Sequence, residues 1–348
     1  MSPVPPFAGK ARAYLEFIAA VIYFLLARST AHRAAMRVAS DGWSPLAEQA
    51  ILLVSLLAIF SAFGRFFDRE SHPIAEQGLP FRTGWPGEFG MGVAVGWGAA
   101  VFCVLALVLV GGIAIVLSTS REAWQALVGD VLFFVIAALV EEVAFRGYGF
   151  QRFLSVVGPV GATIGFAAFY AGLQALQPGS GRASIAVSIA FSLVLSVAFL
   201  RTRALWVSWG LNFAWKASRA LIFGLAVSGV SSHSSVVEGD PMGPFWLTGG
   251  GFGLDGSWIA FLVLLATLPI VYRMTRDLDF KHNAPILVPG GVPVDLDGSV
   301  QRQHDAFMGS TQAAPSPAGS LVQILPVAVP PASNEVGSIA STEPDIPR

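Results

Sequence analysis

The chain has 348 residues, 54% of them hydrophobic and 12% charged, with a mean hydropathy of +0.65. That balance is the profile of a polytopic membrane protein, and a formal net charge of -1 excludes a nucleic-acid partner held by a basic surface. The single cysteine, Cys103, excludes an internal disulfide and a cysteine-rich metal site; inside an apolar run it reads as a small packed hydrophobe.

About 20 mainly apolar residues span a bilayer. Eight such segments follow one another, near 12–29, 47–64, 90–118, 127–149, 155–176, 184–201, 204–223 and 256–274. The expected fold class is all-α, a polytopic membrane bundle of about eight transmembrane helices. Lys10 and Arg12 ahead of Tyr14-Leu15-Glu16-Phe17-Ile18 superficially suggest a signal peptide, but a carboxylate inside the apolar stretch and the later spans favour an uncleaved first helix. Between the second and third spans, the stretch from Pro73-Ile74-Ala75 through Pro86-Gly87-Glu88 reads as an interfacial elbow. Beyond Asn283 the composition shifts to Pro, Ser, Gly, Ala and Val, as in Ala313-Ala314-Pro315-Ser316-Pro317, which predicts a disordered tail. The organisation expected is a two-helix membrane segment over 1–79, a membrane core over 80–275 and a tail over 283–348.

Lysine and arginine collect in loops that stay cytoplasmic. With the amino terminus inside, the inner segments hold Lys10, Arg12, Arg65, Arg69, Arg82, Arg152, Arg201, Arg203, Arg273, Arg276 and Lys281. The outer segments hold Arg28, Arg33, Arg37, Arg121 and Arg182, with Arg219 near the outer end of the seventh span. Both termini cytoplasmic is the better topology.

Charge in the middle of this apolar chain needs an explanation. The fourth span runs into Glu141-Glu142 and Arg146, and an ionised group at bilayer depth costs roughly 2.5 to 3.5 kcal/mol unless it faces a partner or a wet cavity. At about 100° per residue Glu142 and Arg146 share a helix face, while Glu141 points about 100° away. Glu142 can be neutralised by its own helix; Glu141 is left for other work. Gln174 closes the fifth span, and Asn212 and Lys216 stand four apart on one face of the seventh. A glutamine or asparagine there also suits plain interhelical bonding. Lys216 has few routes to water, and its natural counter-charge is Glu141 or Glu142. The histidines His32, His72, His233, His282 and His304 all avoid the middle of a span, so no metal site within the membrane is expected. Gly249-Gly250-Gly251-Phe252-Gly253 lacks the lysine and helix signal of a phosphate loop, and no cofactor is expected.

Glu141-Glu142-Val143-Ala144-Phe145-Arg146-Gly147-Tyr148 resembles the first motif of the CPBP family, the CAAX-type membrane proteases that include bacteriocin-immunity (Abi) homologues. That motif has two glutamates, three variable residues and an arginine, often followed by Gly-Tyr. The segments 224–229 and 246–257 look like those following the last catalytic motif in a bacterial branch, so the likeness covers roughly 80–275. The resemblance implies an eight-helix intramembrane endopeptidase, here of a bacterial inner membrane. It would cut near the carboxyl terminus of a lipidated or other membrane-associated substrate.

In that family the first glutamate activates a water, a histidine of a second motif assists, and a histidine and an asparagine of a third support the oxyanion. Tyr170 and Gln174 align with the phenylalanine and histidine of the second motif, and Asn212 and Lys216 with the histidine and asparagine of the third. The expected site is Glu141 as base, Glu142 and Arg146 completing the first motif, Gln174 positioning water, and Asn212 and Lys216 facing the oxyanion. A glutamine amide orients water but cannot take its proton, so acid and base work falls on Glu141. A Lys216–Glu141 ion pair would weaken that base. Two other readings of the same residues are a pseudoprotease that binds a membrane or lipidated segment as scaffold or immunity factor, and a proton- or ion-coupled transporter.

Overall fold

The structure, a computed structural model, describes residues 7–40, 42–68, 70–110, 112–230 and 236–282. The expected tail, 283–348, lies outside the described residues. In chain order the elements are α1 (Phe7–Val38), α2 (Ser44–Phe67), α3 (Pro73–Glu76), α4 (Trp85–Val110), β1 (Ile113–Leu117), α5 (Arg121–Arg146), α6 (Tyr148–Ala175), α7 (Arg182–Thr202), α8 (Trp206–Ala217), β2 (Val237–Pro241), α9 (Phe245–Thr248), α10 (Trp258–Met274) and α11 (Arg276–His282). A π-helical turn, Ser218–Ile222, prolongs α8. Among the described residues, five helical stretches are long and apolar enough to cross a membrane: Gly9–Val38, Ser44–Phe67, Trp85–Val110, Arg121–Ala175 and Arg182–Thr202. The fourth contains both α5 and α6, and α10 is a shorter apolar helix. Large apolar side chains such as Leu26, Val54, Phe102, Leu109, Val160 and Leu262 are exposed, as suits a surface wetted by lipid.

Several expected boundaries move: α4 begins at Trp85 and takes in the end of the expected elbow, α6 begins at Tyr148 rather than near 155, and two further changes are larger. The first helix is longer than expected, 32 residues rather than a stretch near 12–29. The third expected span, 90–118, divides: α4 ends at Val110, and the β-branched run Ile113–Leu117 pairs antiparallel with Val237–Pro241, Ile115 facing Gly239. The 26 residues of α4 already rise about 39 Å at 1.5 Å each, more than the roughly 30 Å of a hydrocarbon core. The surplus, rich in residues that prefer extended backbone, is free to pair as a strand. Hydropathy alone could not separate the two, because both are apolar.

Packing is tightest where side chains are smallest. Gly92 and Gly96 of α4 lie against the backbone of Val207 and Leu211 on α8, and Gly210 of α8 lies against the carbonyl of Phe89. A Cβ at any of the three would press into main chain, so the two helices meet backbone to backbone, as small residues four apart allow within membranes. Helix α7 is enclosed, with Ala190, Val194 and Ala198 buried and a stripe of Ser184, Ser188, Ser192 and Ser196 also inside. Helices α1 and α2 pack on α5 and α6 around Leu56, Phe60, Phe150 and Phe166.

The carboxylate within α1 has partners. Glu16 accepts from Arg12 (2.7 Å) and Tyr148 (3.4 Å), and Tyr148 also donates to Asp68 (3.1 Å). Arg152 reaches Asp68 (3.1 Å) and Glu70 (2.8 Å). This network fastens α1, the end of α2 and the start of α6 together.

Candidate functional site

Helix α5 delivers the paired carboxylates in its last turns. It stops after Arg146 because Gly147 leaves helical geometry (φ -75°, ψ -137°), and a Cβ there would be pressed on the Val143 carbonyl. Helix α6 therefore starts immediately at Tyr148 in a new direction.

Glu142 is fully buried and Arg146 is 2% exposed. Arg146 Nη1 donates to Glu142 Oε1 at 3.2 Å, and Nη2 donates to the Ser192 carbonyl and hydroxyl, both at 3.3 Å. The glutamate is thus neutralised one turn along its own helix, and the arginine is fixed to α7. Glu141, pointing elsewhere, has a side chain 29% exposed. Its Oε1 meets Lys216 Nζ, and its Oε2 accepts from Asn212 Nδ2 at 3.1 Å. The same amide nitrogen donates to Glu142 Oε1 at 2.9 Å, so Asn212 bridges the two carboxylates. The four-residue spacing of Asn212 and Lys216 on α8 is what lets both reach α5, and the glycine contacts with α4 set where α8 stands.

Glu141 and Lys216 line a cavity of about 380 Å³. Its walls include Phe133, Phe134 and Ala137 of α5, Tyr170, Leu173 and Gln174 of α6, Gln49 and Leu52 of α2, Phe24 and Arg28 of α1, and Val227, Ser228 and Val230. Of the six expected site residues, the structure brings Glu141, Gln174 and Lys216 to this cavity. It puts Asn212 in hydrogen-bond contact with Glu141, and Glu142 with Arg146 against Asn212 but off the cavity wall. Glu142 Oε2, Arg146 Nε and Asn212 Oδ1 are buried without a hydrogen-bond partner among the described residues, a concentration of unsatisfied polar atoms that ordinary packing avoids. Among the described residues no three histidine, cysteine, aspartate or glutamate side chains converge as metal ligands must.

Two features escaped the reading of the sequence. A second buried pair joins Arg219, in the π turn, to Asp255, ahead of α10, at 2.6 Å. Arg219 also donates to the Trp215 carbonyl (2.8 Å), and Asp255 Oδ2 accepts from the Ser228 amide (3.0 Å) and hydroxyl (2.9 Å). Burial raises the Asp255 carboxyl, but Arg219, aided by Ser228 and Lys216, pulls it further the other way and leaves it below the ordinary carboxylate value. The clamp holds Ser228 at φ +49°, a left-handed backbone rarely adopted outside glycine, and so fixes one wall of the cavity. Nothing in local periodicity links residues 36 apart. The other feature did leave a signal: Gly92 and Gly96, and Ser188, Ser192 and Ser196, recur every fourth residue within apolar helices, a spacing that marks a face turned toward another helix.

Residues 122–218 match the family model described as type II CAAX prenyl endopeptidase Rce1-like, of the CPBP family. No curated protein and no solved structure matches the chain. The match contains Glu141, Glu142, Arg146, Gln174, Asn212 and Lys216, and with the long apolar helices it supports an integral membrane protein with a membrane-associated substrate.

Proposed function

We propose that the chain is an intramembrane endopeptidase of the CAAX-protease type, in which Glu141 activates a water against a peptide bond of a membrane-associated polypeptide. The observation that carries this reading is the division of labour in the glutamate pair: Glu142 is buried and charge-paired with Arg146, while Glu141 reaches a mainly apolar cavity into which Lys216 and Gln174 also project. In this reading eight segments cross a bacterial inner membrane, with residues 1–79 completing the 80–275 core and both ends of the chain cytoplasmic.

Water beside Glu141 gives its proton to the carboxylate as its oxygen attacks the scissile carbonyl carbon. Protonation discharges Glu141 and so weakens its hold on Lys216 just as negative charge builds on the carbonyl oxygen. The ammonium and the Asn212 amide can then turn to that oxyanion, which is where fixed donors contribute most. Collapse breaks the carbon–nitrogen bond, and the proton on Glu141 passes to the leaving nitrogen, giving a carboxylic acid and an amine. Gln174, whose side chain makes no hydrogen bond among the described residues, orients the water. The test is cleavage of a membrane-tethered peptide by the purified chain: turnover no greater than that of Glu141→Gln overturns the reading.

One contact favours a second reading. The direct Lys216–Glu141 pair occupies the carboxylate, and a chain that keeps the pair closed binds a membrane segment without cutting it. Crosslinking that traps a peptide in the cavity, together with no cleavage, would support that alternative.

A further inference from the structure

The two ends of the bundle differ in charge and in access. One end gathers the start of α1, the end of α2, the start of α6 and the ends of α7 and α10. There Arg152 meets Asp68 and Glu70, Gln151 donates to the Glu76 carbonyl (2.5 Å), Arg82 to the Thr202 carbonyl (2.9 Å) and Arg201 to the Thr275 hydroxyl (2.9 Å). Lys10, Arg12, Arg65, Arg82, Arg152, Arg201, Arg203, Arg273 and Arg276 all belong to this end. Among the described residues the opposite end has Arg28, Arg33, Arg37, Arg121 and Arg182, with Lys216 and Arg219 tied to Glu141 and Asp255. Excess lysine and arginine marks the cytoplasmic side, which puts the opposite end away from the cytoplasm.

The cavity opens toward that opposite end. Its wall takes the outer half of α1, the first turns of α2, the last turns of α6 and the loop after the π turn. Three of its wall residues, Arg28, Gln177 and Val230, are exposed and form its mouth. Residues 224–256, which supply one side of it, contain no lysine or arginine. Toward the basic end the cavity is closed. Phe145 at its floor is 5% exposed, and Phe60, Phe150 and Phe166 are buried. Tyr148 stacks on Phe60 with ring centroids 5.9 Å apart, two turns short of the end of α2. The α5–α6 turn therefore lies about 10 Å inside the basic end, and the Glu16–Tyr148–Asp68 network closes the bundle beyond it.

Resting on the peptidase reading above and on the topology given with it, we propose that the cavity admits its polypeptide from the extracytoplasmic side. The guest is then an exported segment that reaches Glu141 through the mouth at Arg28, Gln177 and Val230. A segment presented by the cytoplasm meets the basic end, where buried aromatic rings stand between it and the carboxylate.

The test starts from the single native cysteine, Cys103, which is fully buried and gives a silent background for labelling. Gln177 at the mouth and Thr83 at the basic end are both exposed. In spheroplasts of a bacterial host, a membrane-impermeant maleimide should label Gln177→Cys and leave Thr83→Cys unlabelled until the membrane is permeabilised. A second arm offers the full chain a lipid-tethered peptide that carries a photo-crosslinker and a reduced, uncleavable bond. The peptide is added to spheroplasts or to inverted vesicles of the same membrane. Light should join it to the chain in spheroplasts alone, and capping Gln177→Cys from outside with a bulky maleimide should abolish the product. Reversed labelling, a product that survives the cap, or crosslinking from the cytoplasmic face, from both faces or from neither overturns the proposal. A cleavable version of the peptide reads the peptidase separately. Crosslinking from the outer face without turnover upholds the outward mouth and removes only the catalytic reading, whereas turnover in inverted vesicles alone upholds catalysis and overturns the outward mouth.

Discussion

Glu141 and Glu142 are neighbours in the chain, yet they share a single donor, Asn212 Nδ2, and little else: one faces a cavity and a lysine, the other an arginine of its own helix. Their substitutions should therefore part company. Glu142→Gln leaves the buried Arg146 without a counter-charge, and breaking a buried pair from one side costs about 3 to 5 kcal/mol. Glu141→Gln also strands a cation, Lys216, but at a pair more open to the cavity, so its loss should be the smaller of the two. Thermal unfolding in detergent, run on both variants, checks the contrast; equal losses would contradict it.

A proton acceptor at Gln174 should raise the rate. That side chain shares the cavity with Glu141, and a positioned acid–base group contributes about 10² to 10⁴ in rate. Because α6 holds residue 174 for an amide rather than for a ring, the expected gain for Gln174→His is at or below the bottom of that range, about ten- to a hundred-fold in kcat. The gain should vanish when Glu141→Gln is added, and peptide cleavage near neutral pH measures both.

Gly96→Ala should damage a site that Gly96 never touches. The new Cβ would run into the Leu211 carbonyl, forcing α8 away from α4 at an overpacking cost of about 1 to 3 kcal/mol and dragging Asn212 and Lys216 off Glu141. Gly98→Ala, two residues on, meets nothing within 4 Å and should be neutral or slightly stabilising. Unfolding temperature and peptide binding, compared between the two variants, decide the matter.

Acid should loosen the wall at Ser228. The Asp255 carboxyl is depressed in the folded chain, so its stabilising contribution is complete above the unfolded value of about 3.9 and disappears as the pH falls through the lower, folded value. Asp255→Asn should unfold more readily at neutral pH, because Arg219 then lacks its counter-ion, and should lose less on acidification. A pH series of melting temperatures on the parent and the variant reads both slopes.

Much of the site was legible because helical arithmetic is local. Spacing four apart put Glu142 with Arg146 and Asn212 with Lys216, and it turned Glu141 away from both its neighbour and its own arginine. Which carboxylate Lys216 would meet was not legible, since that depends on the depth at which α8 sits against α5, set by glycines on α4. The end of α4 was hidden for a different reason: an apolar strand and an apolar helix turn read alike when both adjoin lipid. The Arg219–Asp255 clamp is a long-range contact through a π turn and a loop, and no periodic pattern carries it.

The cavity's walls begin at Phe24 and end at Val230, beyond both edges of the stretch that matches the family, 122–218. The groups proposed to react thus lie inside the matched stretch, while part of the surface that would grip the remainder of the guest lies outside it. Drift in α1, in α2 or in the short loop near Ser228 can retune selectivity while Glu141, Asn212 and Lys216 stay untouched. A chimaera carrying only 122–218 in a foreign host would import Glu141, Asn212 and Lys216, while the host's counterparts of α1, α2 and α4 would complete the cavity and set how α8 stands.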